Sequence, residues 1–562
     1  AGSLGGVVRV VPRSPDLRTF EGAAWGGVLA VQHGQPGVDG GAILNLPLKE
    51  DVIGLRALAF GSVEGGYIDD VGRGVKDINR VRTFGGRAGL RVAPGDDWTI
   101  DLNAVGQRID GDDSQYAERS VGELERASGV AQPFRNDYWL VDVVARKSWG
   151  GLELTSSLGY AGQYVFERFE GPALADAGDL DTRPVASAPM ATYSQANRIA
   201  MVTAEARLAR RGENGTGWLV AASLLRNVAK TNRRMVISPA GAPLTGVSNH
   251  VEEATVYGEY AAEPLQRFTL TLGGRLTHAG LSGTSEDVAD VVAFRIDPGA
   301  RGSRSETRFL PSVAAAYRAT DRLTLFARYQ QGFRPGGIAV RREFIQRFAG
   351  DRVSTFEAGG RYRSPALDLA MSASATRWTN IQADVVDGFG FPTTANAGDG
   401  RVLSLGMISR WRPVAGLELD AALYLNDSKV TERAYLFLPV EAAAIEIQRL
   451  PNVADATGRI GVAYTKSLRD GLDLTANGFA RYVGKSTLGI GPILGRLQGD
   501  YVDTGVEVRL GDKRRGISAA VTNLLDARGN RFALGSPFLI RDRDQTTPLR
   551  PRTIRLGFDL NF

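Results

Sequence analysis

The 562-residue chain has no cysteine, only three histidines and five methionines. Without cysteine there is no disulfide framework, no thiolate metal site and no cysteine nucleophile, although this leaves the compartment open. His33, His250 and His278 stand far apart with no ligand spacing, which argues against a catalytic metal centre. No apolar run approaches the ~18 residues of a membrane-spanning helix; strands of a barrel, which carry a weaker signal, are not excluded. Charge of one sign is also scarce. Lys and Arg number 67 against 62 Asp and Glu, and the net +5 is small for this length. The arginines are scattered through loops and not massed into a nucleic-acid face, so no nucleic-acid partner is expected. Gly484-Lys485-Ser486-Thr487 ends like a phosphate loop, but the glycine required five residues earlier is Phe479. No Ser/His/Asp arrangement is suggested, and the sequence calls for neither an enzyme nor a cofactor.

What the chain does have is alternation. The last eleven residues, Arg552 to Phe562, place Ile554, Leu556, Phe558, Leu560 and Phe562 on one strand face. Arg555, Gly557, Asp559 and Asn561 fall on the other. With a side-chain period of two, this is an apolar face backed by a polar one. The length matches the ~9–11 residues with which a tilted strand crosses a bilayer. The same pattern recurs about twenty-two times along the chain, each boundary uncertain by a few residues. Trp98, Ile100, Leu102 and Ala104 oppose Thr99, Asp101 and Asn103; Leu417, Leu419, Ala421 and Leu423 oppose Glu418 and Asp420. Further on, His250–Ala262 and Leu367–Val386 each read as one strand.

Connection lengths carry more information than any single strand. Short turns such as 93–97, 148–151, 262–266, 364–366 and 413–416 hold Gly, Pro and Asp. Between them lie long connections near 64–82, 110–136, 169–193, 236–249, 282–306, 334–354, 431–453, 484–499 and 524–550. Short and long alternate with little exception, His33–Gly37 being a short turn. An antiparallel meander with its turns on one side and its loops on the other has this parity, as bacterial outer-membrane barrels do. A Greek-key sandwich has no reason to keep it. The expected fold is therefore all-β: a transmembrane antiparallel barrel of about 22 strands, with short periplasmic turns and long extracellular loops.

Several stretches resemble one family. Gly2-Ser3-Leu4-Gly5-Gly6-Val7-Val8-Arg9-Val10-Val11 resembles the last plug strand of TonB-dependent outer-membrane receptors, with Gly5, Gly6, Val7 and Val8 at its centre. Gly65–Asp70 is similar to the family's GGYIDN-like segment, and Gly332-Phe333-Arg334-Pro335-Gly336-Gly337 to its mid-barrel GFRPGG. Asn396-Ala397-Gly398-Asp399, Leu450-Pro451-Asn452-Val453 and Val521–Asp526 resemble the NAGDA, LPNVP and VNNLFD segments, in the same order. The resemblance implies residues 1–14 as the end of a plug domain and 15–562 as the receptor barrel. It implies active uptake of a scarce small ligand, such as a ferric siderophore, driven by the TonB energy-transducing complex pulling on a plug. The TonB box would lie in an N-terminal part preceding Ala1, which begins in mid-motif, so the chain reads as mature, processed or truncated. Outer-membrane lipid and the barrel-assembly machinery are the further partners implied, Phe562 being the C-terminal assembly signal. A passive porin-like channel and a non-transporting surface barrel are the alternatives.

Candidate ligand contacts lie in the loops. Arg334, Arg341, Arg342 and Arg347 fill a basic loop suited either to an anionic ligand or to lipopolysaccharide phosphates. Tyr67, Tyr116 and Phe391 are placed to stack on a ligand, or to pack their loops or anchor the membrane interface. Asp110-Gly111-Asp112-Asp113 gathers carboxylates suited to calcium but lacks the EF-hand spacing, and Asp-Gly-Asp is ordinary turn chemistry.

Overall fold

A computed structural model describes residues 10–171, 191–237, 240–286, 302–341, 344–386, 392–433, 449–468, 471–490 and 494–562. One sheet of 22 strands dominates it. In chain order these are β1 (Glu21–Val31), β2 (Gly37–Lys49), β3 (Ile53–Glu64), β4 (Val81–Gly95), β5 (Trp98–Gly111), β6 (Phe134–Trp149) and β7 (Leu152–Glu170). Then come β8 (Ala191–Arg211), β9 (Gly217–Ile237), β10 (Ala240–Leu265), β11 (Phe268–Glu286), β12 (Gly302–Arg318), β13 (Leu323–Arg334), β14 (Asp351–Arg363) and β15 (Leu367–Thr379). The last are β16 (Gly398–Val414), β17 (Leu417–Arg433), β18 (Ala456–Ser467), β19 (Asp473–Val483), β20 (Tyr501–Gly511), β21 (Arg515–Thr522) and β22 (Thr553–Asn561).

Every strand pairs antiparallel with the next, and β22 returns to β1 with Leu556 opposite Val28. The barrel is closed, so no edge strand is left unpaired. At the seam the Gly22 amide donates to the Phe562 carbonyl at 2.7 Å, and the Phe562 amide donates back at 2.9 Å. The Phe562 ring lies over Gly22, where any side chain would collide with it.

The faces follow the period of two. Ile554, Leu556, Phe558 and Leu560 are exposed on the outside, as are Val28, Leu102, Leu224, Val256, Leu276, Leu405 and Ile517 around the circumference. Exposed apolar residues on this scale form a belt for lipid. The inner face is polar and paired. Arg555 reaches across β1 to hold Asp39 at 2.7 and 2.8 Å, and Gly27, which lies beneath the guanidinium, has no room for a Cβ. Arg91 and Arg146 share Asp101, and Arg509 clasps Asp559 across β21.

Turns at one rim are short. Asp96-Asp97 and Gly150-Gly151 all have positive φ, the backbone of two-residue hairpin turns that match the strand twist. The opposite rim carries the long connections, here numbered L1 to L11. L1 (32–36) is short, as the sequence suggested. L5 differs from expectation: β9 runs to Ile237 and β10 begins at Ala240, so most of 236–249 is strand and not loop. A register shift between Thr231 and Arg233 lets the ladder continue past the apolar belt, where polar residues no longer signal a strand end. The segment Leu367–Val386 is also divided. β15 stops at Thr379, and Gln382–Val386 leaves the barrel to pair with Pro392–Asn396 inside L8 (380–397).

The segment before β1 lies along the inner wall at the short-turn rim. Pro15 is buried against Gly54 and Gly89, and Asn45, fully buried on β2, accepts from the Asp16 amide at 2.9 Å. The Asn45 amide donates to the Asp16 and Thr19 carbonyls at 3.0 and 2.7 Å. Asn45→Ala removes all three bonds and is expected to weaken this tether by ~1–3 kcal/mol. Amide hydrogen exchange would show faster exchange at Asp16 with the barrel strands unchanged; equal protection at Asp16 would refute the tether. Gly5, Gly6, Val7 and Val8 lie outside the described residues.

Candidate ligand-binding site

The long-loop rim is a packed layer, not a fringe. Its first half joins L2 (65–80), L3 (112–133) and L11 (523–552). The parallel pair Asp69–Asp70 and Glu125–Arg126 stitches L2 to L3, and Gln545–Thr546 pairs with Ala117–Glu118 to add L11. Below these strands sits a buried ionic cluster. Arg126, fully buried, donates to Asp113, to Asp70 at 3.4 Å and to the Ser114 carbonyl at 3.3 Å. Arg73 bonds the same two carboxylates, at 2.8 Å to Asp70 and 2.5 Å to Asp113. Arg543 from L11 pairs with buried Glu118 at 2.9 Å. Asp112 is taken by Arg80 and Arg82. Asp112 and Asp113 are thus paired with arginines, and no group of three or more metal-binding side chains occurs among the described residues.

The motifs noticed in the sequence are the knots of this layer. Asn523, at φ 47°, holds the base of L11 by donating to the Ala527 and Arg550 carbonyls. Asn396 donates to Ala349 and Asn380, tying L8 to L7 (335–350). Leu450 is fully buried with Ile381, Ala397, Val430 and Ile490.

The predicted contacts divide sharply. Tyr67 is buried with Val31, Ile68 and Ile78, with the Arg550 guanidinium 5.9 Å from its ring. Tyr116 is 1% exposed, lies under the Arg126 guanidinium at 4.6 Å and accepts from Gln132 at 2.8 Å. Burial pushes its phenol up to about 12. Both rings pack loops in this conformation. Arg334 is clamped by the buried Asp351 at 3.0 and 2.7 Å, and Asp351 also accepts from the Trp378 indole at 3.0 Å. Its charge is therefore spent on L7's anchor. Phe391 and Arg342 lie outside the described residues, as does the side chain of Arg341.

Arg347 is different. It belongs to a hairpin of L7, Gly337–Arg341 paired with Phe344–Phe348, which folds inward onto β10 to β12. Ile338 packs on Val247, and its carbonyl accepts from Asn249 at 3.0 Å. Between hairpin and wall opens a cleft of about 310 Å³ lined by Asn249, Val251, Leu281, Arg304, Ile338, Arg347 and Phe348. Arg347 is exposed and has no ion-pair partner among the described residues. Among the described residues, Arg304 has one distant carboxylate, Glu306 at 3.9 Å, which is closer to Arg308. The cleft therefore presents two weakly compensated cations beside apolar walls, a combination that suits a small anion. Sequence reasoning placed Asn249 and Arg304 within the connections 236–249 and 282–306 but singled out neither, because nothing local marks them; the structure puts them on β10 and β12, facing the L7 hairpin.

Among known proteins, a family model described as TonB dependent receptor-like, beta-barrel, matches residues 63–524. The chain belongs to the TonB-dependent receptor family. Three solved structures share the fold at low identity. The ferric yersiniabactin uptake receptor FyuA from Yersinia pestis is 18% identical, with a TM-score of 0.80 over 98% of this chain and 81% of that one. The ferric citrate transporter FecA is 14% identical, TM-score 0.76, covering 100% and 81%. The copper transporter OprC is 14% identical, TM-score 0.67, covering 99% and 82%. The protein is an outer-membrane receptor for ligand uptake and not an enzyme; it works with TonB on a small-molecule ligand. The long loops accordingly face the cell exterior and the short turns the periplasm.

Proposed function

We propose that this receptor captures an anionic small ligand, of the ferric-chelate class, in the cleft between the L7 hairpin and β10 to β12. Arg304 and Arg347 are its charge contacts, Phe348 and Ile338 its apolar wall, and TonB-driven movement of a plug carries it inward. The observation that carries this reading is the pair of weakly compensated arginines in one outward-opening cleft. Elsewhere on the rim, arginines such as Arg126, Arg73 and Arg543 are already paired with carboxylates. FyuA and FecA, by their names, take up ferric yersiniabactin and ferric citrate, which supports a ferric-chelate cargo by analogy of fold.

Ferric citrate serves as the probe. Each charge-assisted contact is worth ~1.5–3 kcal/mol, so Arg304→Gln with Arg347→Gln is expected to weaken binding at least about a hundredfold. Calorimetric titration reads this directly; unchanged affinity in the double variant removes the cleft from the argument. In cells, uptake of labelled iron is expected to stop when the proton gradient is collapsed, and continued uptake would favour a passive channel. Phe562, exposed at the end of β22, is on the same proposal the residue read by the barrel-assembly machinery.

A further inference from the structure

The barrel wall beside the L7 cleft is not zipped along its whole height. β12 pairs with β11 from Gly302 to Tyr317, and β13 pairs with β14 from Leu323 to Arg334. Between β12 and β13 the ladder runs only from Arg318 opposite Thr324 to Ser312 opposite Gln330. The next residue on β12 is Pro311, which has no N–H to offer a partner; proline in a sheet belongs at an edge. Beyond it, 302–310 of β12 and 331–334 of β13 share no backbone pairing among the described residues.

This split starts within the apolar belt. Residues directly opposite in paired strands share a face. The row Val256, Leu276 and Phe309 lies one step to the extracellular side of Pro311, and all three are exposed on the outside. A strand edge at bilayer depth is tolerated only where protein covers it or where it lines a cavity. Here one ring covers it. Tyr329 stands opposite the exposed Phe356, and alternation from Tyr329 places Phe333 on the same outer side, yet Phe333 is only 7% exposed. Its ring turns into the split. The Arg308 guanidinium lies 6.0 Å from the ring centroid, and a Cβ on Gly350 would meet Phe333 at 2.8 Å and the Glu306 carboxylate at 3.0 Å. The L7 cleft adjoins this gap. Arg304 and Phe348 line the cleft, each two residues from a group in the split, Glu306 and Gly350. A molecule seated in the cleft therefore has the lumen on one side and, behind Phe333, the outer leaflet on the other.

We propose that the ligand is an amphiphilic chelate, whose anionic head occupies the L7 cleft and whose alkyl chain passes through the β12–β13 split into the outer leaflet. The chain takes the place of the Phe333 ring, so the strand edges stay covered and the apolar tail stays out of the wet lumen. This inference rests on the capture reading above and adds the chemical class of the ligand.

The test uses the intact receptor in lipid nanodiscs, with binding to empty discs subtracted. The probes are ferric citrate and the ferric complex of citrate carrying one dodecyl amide. The acylated chelate is expected to bind at least about tenfold more tightly. The chain has no cysteine, so Phe309→Cys with Phe333→Cys allows one short, reducible bis-thiosulfonate bridge across the split. Bridging is expected to abolish the advantage of the acylated probe and reduction to restore it, with ferric citrate unaffected in both states. Phe333→Ala, which removes the wedge without a bridge, is expected to tighten the acylated probe alone. A diazirine at the tail end is expected to label outward residues of β12 and β13. Heat-dependent gel mobility verifies that each variant remains a folded barrel. An advantage that survives bridging, an equal response of both chelates to the bridge, or labelling confined to the lumen would overturn the tail route and leave ligand capture standing. Equal affinity for the two chelates would do the same, whereas binding of neither would remove the capture reading and this inference with it.

Discussion

Arg126→Met is expected to loosen L2 and L3 by ~3–5 kcal/mol, the loss that follows when one partner of a buried ion pair is removed. The reason is stoichiometric. Asp70 and Asp113 are nearly inaccessible to water and share two guanidiniums, those of Arg126 and Arg73. Without Arg126 two buried carboxylates face one cation, and at 0% and 3% exposure Asp70 and Asp113 are out of reach of bulk solvent. The barrel itself does not depend on this cluster, so the effect is local. Amide exchange should accelerate by two orders of magnitude or more in Asp69–Asp70 and Glu125–Arg126, while β3 and β5 keep their protection. Asp70→Asn with Asp113→Asn in the Arg126→Met background should recover part of the loss, because neutral amides bury more cheaply than unpaired carboxylates. Uniform exchange across wild type and variant would mean the cluster contributes nothing to the rim's rigidity.

Leu556→Arg should destabilise the folded barrel by ~2–4 kcal/mol, the cost of an arginine near the bilayer midplane on a lipid-facing strand position. Leu556 stands mid-strand on β22, opposite Val28 and Ala519, and is 58% exposed on the outside. Its neighbour Arg555 points inward to Asp39, so Arg555→Lys keeps a charge beside that carboxylate in a wet lumen and costs ~1 kcal/mol or less. Urea unfolding in lipid vesicles distinguishes the two. Equal effects would contradict the assignment of faces.

The number and order of strands were legible because the signal is local. A strand with lipid on one side and water on the other must alternate, as β5, β17 and β22 do within their own sequence. Loop parity was legible for a related reason: antiparallel neighbours return the chain to the same rim at every second connection. The start of β10 at Ala240 and the departure of Gln382–Val386 into L8 were not legible. Outside the bilayer no apolar face is required, so hydrogen bonding to whatever strand lies alongside decides where a ladder ends.

The candidate site was legible only in part. Loop composition pointed to Arg347 and to Arg334 alike, yet of the two only Arg347 lines the cleft and has no ion-pair partner among the described residues, whereas Asp351, seventeen residues on, folds back onto Arg334. Tyr67 and Tyr116 look like exposed loop aromatics in the sequence and are the packed centres of L2 and L3 in the fold. Sequence by itself determined the barrel, its faces and its family, since these depend on periodicity and on short motifs. Only the tertiary structure decided which cations are free and which are paired. Charge compensation depends on distances between loops up to several hundred residues apart, as Arg543 with Glu118 and Arg550 with Glu64 illustrate, and no local pattern encodes them.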